Sequence, residues 1–507
     1  MFSEEPINNS SHKSRKLWIL TRGLTAAACL ATAAMFVIWR YLLFSPWVFH
    51  RLQPAMIDLV AAALLLVSLT SGFTIVFIGI RRLPAPWRSR VGIGFCLLVL
   101  LVGPFNEFRV VLADVLPQRI SRSIFYITFP FLAVLLVLVR FRVTYRQTCR
   151  ALLIIVPLMV IVLGRLGWAM AQLPKGEARA IERHMGRHLV LGNRVVWIIF
   201  DELDYRIGFQ DRPESVKMPN FDQLAAASHR FTNASAPAFS TMLSMPSLVD
   251  GVVYTNAYPD GDAQLLLRRL DGQLIKWGAG SNVFTDTRAL GGRSAIVGWY
   301  LPYSRAFSNV VEKATWYGFS PERFVGQGLS LAATMRMQFV NALPVVRRAS
   351  HSDVVDGVGD AALRIVGDPS YDLIFVHYPM PHLPGVAKRD FGERVHAVIS
   401  DPIGYLQNLA VADAFLGSCV KALETTAAGS RTTLIVSSDH PWRTSAKYDG
   451  RSDPRVPFLI RFPGQKTGSD VGTPFQTVRT RDIVREILSS RKLTNGDSIG
   501  NLKHFIY

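Results

Sequence analysis

Asp439 and His440 stand side by side directly after an apolar run, TTLIVSS (432–438), and a second run, RVVWIIF (194–200), ends in Asp201 and Glu202. Runs of this length and composition predict buried strands, and open α/β sheets carry their chemistry beyond the carboxyl ends of such strands. An imidazole beside carboxylates is a nitrogen and oxygen donor set of the kind that holds a hard or borderline divalent cation. One ion is therefore expected, zinc or manganese, with calcium or magnesium as alternatives. Its ligands are drawn from Asp201 or Glu202, Asp439 and His440. A solvated strand-end carboxylate accounts equally well for one of the acidic pair, and an Asp-His pair also occurs as a capped loop. Thiolate zinc is excluded: of the four cysteines, only Cys419 lies beyond residue 173.

Half of the 507 residues are hydrophobic, and the apolar excess lies before about residue 173. It falls into five runs, 17–39, 59–80, 91–105, 124–139 and 151–164, separated by arginine-rich breaks. About 20 mostly apolar residues span a bilayer; the shorter runs are extended by flanking arginines such as Arg109 and Arg165, whose stems reach the headgroup level. Stretches such as LLVLLVG and FLAVLLVLV are apolar on every side, unlike the amphipathic helices of a soluble core. Five membrane spans are expected, the first a retained anchor.

The breaks set the orientation. Residues 81–90 hold Arg81, Arg82, Arg88 and Arg90, and residues 140–150 hold Arg140, Arg142, Arg146 and Arg150, whereas 40–55 and 106–122 are poorer in basic residues. Basic loops face the cytoplasm, so the amino terminus is expected inside and everything after about residue 173 outside a plasma (inner) membrane. The formal net charge of +19 is then largely a matter of topology. Nucleic acid is excluded as a partner by location and by the lack of any binding signature; anionic lipid is the better match.

From residue 194 onward, strands alternate with amphipathic helices. Strands are expected at 194–200, 294–298, 371–377, 432–437 and 456–462, with helices at 218–227 and 406–423. Such alternation predicts an α/β domain with a largely parallel central sheet. The expected organisation is a transmembrane domain over 1–172, a linker helix over 173–193 and an extracytoplasmic domain over 194–507, without an internal disulfide.

FDELDYR (200–206), MPNFDQLAAASHRFTNASA (218–236), PHLP (381–384), SDH (438–440) and RVPFLIRFPG (455–464) follow one another in an order that resembles the sulfatase-like branch of the alkaline phosphatase superfamily. The resemblance covers about residues 194–465 and implies that family's α/β fold. It places a nucleophile some 40 residues after the first metal-bearing strand, within FSTMLSMPSLVDG (239–251). Matching Ser247, Leu248 and Gly251 to the family's Ser-Leu-x-x-Gly turn assigns Thr241. The segment around Ser240, Thr241, Ser244 and Pro246 is similar to the threonine segment of membrane phosphoethanolamine transferases, and again selects Thr241. The resemblance makes Thr241 a metal ligand as well as the nucleophile. A divalent ion would help a weakly acidic hydroxyl to attack, although a Ser/Thr turn opening a helix is also an ordinary N-cap. For His382 and His377 the resemblance implies substrate binding, and for His382 leaving-group protonation; His377 equally suits a packed strand end.

The departures from the pattern matter. Leu243 and Met245 stand where sulfatases carry Pro and Arg, so conversion of the nucleophile to formylglycine is not expected. Trp299 and Leu301 stand where those enzymes carry basic residues, and Pro441 replaces a glycine. Glu202 matches the single Glu that phosphoethanolamine transferases and lipoteichoic acid synthases carry after this strand, and five spans with a disulfide-free domain and a threonine nucleophile look closest to lipoteichoic acid synthase and phosphoglycerol transferases. The leading expectation is a membrane-anchored, metal-dependent phosphotransferase that moves a phospholipid headgroup to an envelope acceptor through phospho-threonine. A sulfatase-like hydrolase of phosphate or sulfate esters is the enzymatic alternative. A binding protein that keeps the fold without turnover is the alternative of another class.

Overall fold

Helices that are apolar all round form the early part of the chain, because nothing in their sequence confines the hydrophobic surface to one face. The computed structural model describes residues 9–44, 48–50, 52–102, 144–172, 180–183, 190–260, 264–318, 329–342, 351–383, 385–388, 394–399 and 402–490. The chain divides into two units: 1–45 with 53–177 and 322–348, and 46–52 with 178–321 and 349–507.

The first unit contains helices Asn9–Leu43, Met56–Arg81 and Ala85–Val102 and the stretch Tyr145–Ala171, which is broken only by a tighter turn at Leu153–Ile155. Helix starts are fixed locally: Asp58 accepts the Ala55 N–H at 2.8 Å, and Thr144 caps the Gln147 N–H. A small core of Ala26, Ala27, Leu30, Phe77, Ile80, Cys96, Tyr145 and Leu152 joins them. Gly92 permits this approach, since a Cβ there would lie 2.6 Å from the Tyr145 ring. Outside that core, Val67, Ile75, Val160 and Ile154 expose their apolar side chains, Ile154 to 80%. That surface suits lipid better than water.

Three helices are long and apolar enough to cross a membrane by length and composition: Met56–Arg81, Tyr145–Ala171 and Ile403–Glu424. The last buries Tyr405, Leu409, Ala412, Leu416 and Cys419 in the core of the second unit, which makes it a core helix rather than a span. Of the expected spans, 17–39 and 59–80 lie within Asn9–Leu43 and Met56–Arg81, and 151–164 within Tyr145–Ala171. The third occupies Ala85–Val102 up to the last described residue there, and 124–139 lies outside the described residues.

One helix departs from the expected boundaries. Leu331–Ala342, placed in the outer domain by sequence, packs against Met56–Arg81, where buried Gln338 donates to the Asp58 carbonyl at 3.0 Å. Its polar contact residues, Thr334 and Gln338, give it no apolar stripe to betray the docking.

The second unit is built on a nine-stranded sheet. Its strands are β1 (Ala180–Glu182), β2 (Arg194–Asp201), β3 (His229–Phe231), β4 (Ser294–Trp299), β5 (Lys313–Tyr317), β6 (Leu373–Pro381), β7 (Thr432–Ser438), β8 (Phe458–Arg461) and β9 (Ser469–Val471). Their spatial order is β1-β5-β4-β6-β2-β7-β8-β3-β9. The central five, β5-β4-β6-β2-β7, are parallel, while β8 runs antiparallel to β7 and β3. Both faces of β2, β6 and β7 are covered, so every residue in them is buried, consistent with the apolar run that each contains. Helices Pro219–Ala226, His351–Val366 and Ile403–Glu424 contribute to that cover through Phe221, Val358 and Leu416.

The linker helix expected over 173–193 is corrected at its described residues. Ala180–Glu182 is an edge strand antiparallel to β5, with Ala180 opposite Thr315, so sheet pairing overrides the helical propensity of the alanine- and glutamate-rich stretch.

Candidate functional site

Four adjacent parallel strands end at one edge, and each delivers a polar or aromatic side chain there. β4 ends in Trp299, β6 carries His377 and leads to His382, β2 ends in Asp201, and β7 leads to Asp439 and His440. Immediately after Asp201, Glu202 takes a left-handed backbone conformation with φ 64°, and Tyr300 does the same after Trp299 with φ 66°. Such conformations cost non-glycine residues roughly 1–3 kcal/mol and persist where surrounding bonds over-determine them. Around Glu202 those bonds are its N–H to Asp439 Oδ1 at 3.1 Å, the Tyr405 hydroxyl to its carbonyl at 2.7 Å, and Leu203 N–H to Ser438 Oγ at 2.9 Å.

Thr241 opens the helix Thr241–Asp250, which ends in left-handed Gly251. The N-cap is Ser240, whose side chain makes no capping bond, so Thr241 is not a cap. Its hydroxyl lies 3.2 Å from His440 Nε2 and 3.4 Å from Asp201 Oδ2. One turn further along the helix, the Ser244 hydroxyl donates to the Asp439 carbonyl and ties it to the strand end.

Asp201, Asp439 and His440 are fully buried, and each offers a ligand atom within 4.8 Å of the others. Asp439 Oδ1 accepts the N–H groups of Glu202 and His440, and among the described residues neither Asp439 Oδ2 nor Asp201 Oδ1 has a hydrogen-bond partner. His440 Nδ1 lies 3.0 Å from the Pro441 carbonyl, so Nδ1 carries the proton and Nε2 presents its lone pair toward Thr241. Burial favours protonation of Asp201, yet the His382, His377 and His440 imidazoles hold its carboxyl below the usual range. Burial and the Asp201 charge push Asp439 upward. Burial opposes charging of His440, but Asp439, Asp201 and Glu202 raise it. Two buried carboxylates with orphaned oxygens and an imidazole lone pair fit a divalent cation, since an unpaired buried charge is costly.

Sequence reasoning favoured Glu202 as the ligand while keeping Asp201. In the structure Asp201 lies in one cluster with Asp439 and His440, whereas Glu202 Oε1 accepts from Arg443 Nε at 2.6 Å. His382 lies beside them, its Nε2 3.2 Å from Arg443 Nη2 and its Nδ1 2.5 Å from the Leu383 carbonyl. His377 is not at a surface. It is fully buried, with Nδ1 2.9 Å from the Tyr303 hydroxyl and Nε2 3.4 Å from Asp201 Oδ2, the arrangement of a packed strand-end residue that supports Asp201.

Sequence reasoning missed several contributors. Trp299, noted only for standing where a basic residue was expected, donates its indole N–H to Asp201 Oδ2 at 3.0 Å. Arg443, three residues beyond His440, was legible only as part of SDHPWR. Tyr303 and Tyr405 had no sequence signal, because each reaches the site from an element of its own; Ser244 was named only as part of the threonine segment.

By sequence, no family model and no curated protein matches the chain. By structure it is similar to a phosphonate monoester hydrolase of Agrobacterium radiobacter, at 18% identity over 58% of this chain and 72% of that one, with a TM-score of 0.38. It is also similar to an alkaline phosphatase superfamily protein from Vibrio parahaemolyticus, at 13% identity over 61% and 68% with a TM-score of 0.39. A third such structure is a sulfatase acting on the 2-O position of glycosaminoglycans, at 13% identity over 60% and 72% with a TM-score of 0.39.

Proposed function

We propose that the second unit is a metal-dependent ester hydrolase that cleaves phosphate esters through a covalent intermediate on Thr241. The observation that carries this reading is the position of the Thr241 hydroxyl, at the first residue of its helix and within 3.4 Å of both Asp201 Oδ2 and His440 Nε2. A hydroxyl that only capped or packed would face backbone instead.

Asp201, Asp439 and His440 would hold the ion, with Thr241 beside it. When bound, a divalent ion lowers the pKa of an adjacent hydroxyl and offsets anionic ester oxygens. Thr241 Oγ bonds to phosphorus as the bond from phosphorus to the leaving oxygen breaks, and that oxygen keeps the electron pair and takes a proton from solvent. With the His440 Nε2 lone pair directed to the ion, the acceptor for the threonine proton would be Asp201 Oδ2, 3.4 Å from the hydroxyl. Water then attacks the phospho-threonine, which restores the hydroxyl and releases phosphate. Trp299, His377 and the Tyr303 behind it fix Asp201. Sulfate esters suit this site less, because Thr241 cannot be oxidised to formylglycine.

A second reading, transfer of a phospholipid headgroup to an envelope acceptor, is favoured by the outward apolar surface of Met56–Arg81 and Tyr145–Ala171, which suits a membrane where such a donor resides. The arginine distribution supports a location outside the plasma membrane for the site. The experiment is to incubate the detergent-purified full chain and a divalent metal with 4-nitrophenyl phosphate, or with labelled phosphatidylglycerol or phosphatidylethanolamine, then quench in acid and map phosphorylated residues. Phosphate on Thr241 is expected. Turnover with no label on Thr241 would overturn the mechanism, and label arising only from lipid would favour transfer.

A further inference from the structure

The turn Val48–His50 lies in the chain between helices Asn9–Leu43 and Met56–Arg81, yet residues 46–52 belong to the α/β unit and not to the unit of the helices that flank them. Connections between helices ordinarily run over the surface. Here Phe49 and His50 are both buried. Arg305 Nη1 donates to the Phe49 carbonyl at 3.1 Å, and its guanidinium lies 5.8 Å from the centre of the Phe49 ring and 5.9 Å from that of Trp316 in β5. The His50 ring stacks on that of Tyr300, with centroids 4.3 Å apart and planes at 22°, and its Nδ1 lies 3.4 Å from the Tyr300 carbonyl. The arginine distribution places the 40–55 break and everything after about residue 173 on the same side of a membrane, so these contacts require no crossing of the bilayer.

Tyr300 is the residue with the left-handed backbone directly after Trp299. Its N–H donates to the Tyr317 carbonyl at 2.8 Å, while His50 meets its ring and its own carbonyl. Burial and then the Asp201 charge raise the Tyr300 phenol above its usual range, against the pull of Arg443, so this residue stands within electrostatic reach of the cluster. Trp299 in turn donates to Asp201 Oδ2 at 3.0 Å. A backbone in this conformation persists where its neighbours over-determine it. We infer that His50 is a positioning residue for the strand-end cluster: stacked on Tyr300, it holds the left-handed turn that sets the Trp299 indole on Asp201, and the grip of the site on its ion depends on it. The inference rests on the metal-dependent reading of the same site. The His351 and His382 rings also flank Trp299, each with its centroid 5.3 Å away, so loss of His50 loosens the arrangement without abolishing it.

The test uses the full chain in detergent and two readouts. Hydrogen exchange by mass spectrometry, with no metal added, follows the bonded amides of Tyr300, Leu301 and Tyr303. Zinc affinity is measured against a competing chelator. His50→Ala should speed exchange in this segment by about 10-fold or more while β2 and β7 keep their protection, which also shows that the variant is folded. It should weaken zinc by about 10-fold, the lower end of what a ligand-orienting group contributes. His50→Phe, which keeps a ring to stack, should stay within about 3-fold of the wild type in both. His50→Leu fills the space without a ring, should behave as the alanine variant does, and carries the test if that variant fails to fold. Wild-type exchange or wild-type zinc affinity in a folded alanine or leucine variant, or a phenylalanine variant as loose as they are, would each overturn the inference. A wild type that forms no phospho-threonine yet shows both effects removes the chemistry and leaves the role of His50 standing. A wild type that takes up no zinc overturns the inference together with the metal reading.

Discussion

Trp299 donates its indole N–H to Asp201 Oδ2 at 3.0 Å, with both residues buried and 98 positions apart in the chain. The bond aligns a carboxylate whose other oxygen has no partner among the described residues. Trp299→Phe keeps an aromatic ring but removes the donor. Metal affinity should fall by about 10- to 100-fold, as for other groups that orient a ligand. Unchanged metal content after dialysis, read by plasma mass spectrometry, would mean that the indole only packs.

Thr241→Ala should abolish turnover, a loss of about 1,000-fold or more, because a covalent path has no substitute nucleophile. Stability should move by only about 1 kcal/mol, since Ser240 and not Thr241 occupies the cap position. Thr241→Ser should retain measurable activity, and Ser240→Ala most of it. A Thr241→Ala protein that melts early but turns over normally would reduce the residue to a structural role.

The acidic pair should separate cleanly. Asp201→Asn and Asp439→Asn should each lose the bound ion, whereas Glu202→Gln should keep it and release Arg443. Metal stoichiometry of the three variants checks this, and ion loss from Glu202→Gln alone would restore Glu202 as the ligand.

Asp250 ends the helix Thr241–Asp250 with its carboxyl buried, and burial pushes its pKa up to about 7, against the pull of the Tyr254 hydroxyl and Arg481. A carboxyl raised above its unfolded value of about 4 stabilises the fold while protonated in both states, and that contribution is lost as pH rises toward the folded value. Melting temperature should therefore decline between about pH 4 and pH 7, as stability falls by on the order of 1.4 kcal/mol for each whole step in pH. Asp250→Asn should flatten the profile in calorimetry. A slope identical to the wild type would assign the effect to other groups.

Reporter fusions near residues 85 and 145 should be active in the cytoplasm, and fusions after 175 outside it. A cytoplasmic carboxyl-terminal reporter would contradict both the span count and the proposed location of the chemistry.

Strands β2, β6 and β7 were legible because burial on both faces leaves an apolar run in each, and the ends of β2 and β7 gave Asp201, Asp439 and His440 directly. Strand Lys313–Tyr317 and helix His351–Val366 were not singled out. KATWY mixes polar and aromatic residues, and the helix carries glycines at 357 and 359. The side-chain direction that separates Asp201 from Glu202 was beyond sequence, because it follows from the left-handed turn at Glu202 and from an arginine 241 positions away. Thr241 came from resemblance, and its approach to His440 depends on how the helix meets the sheet.

The helix Leu331–Ala342 lies, in chain order, between β5 and the helix His351–Val366 of the α/β unit, yet it packs with the first unit. No single cut therefore liberates the α/β half. A fragment starting near residue 178 would carry a helix stripped of its docking partner, with Gln338 deprived of the Asp58 carbonyl. Soluble expression calls for replacing 322–348 by a short polar linker as well as removing the leading helices, and proteolysis at one boundary should leave the two halves still joined.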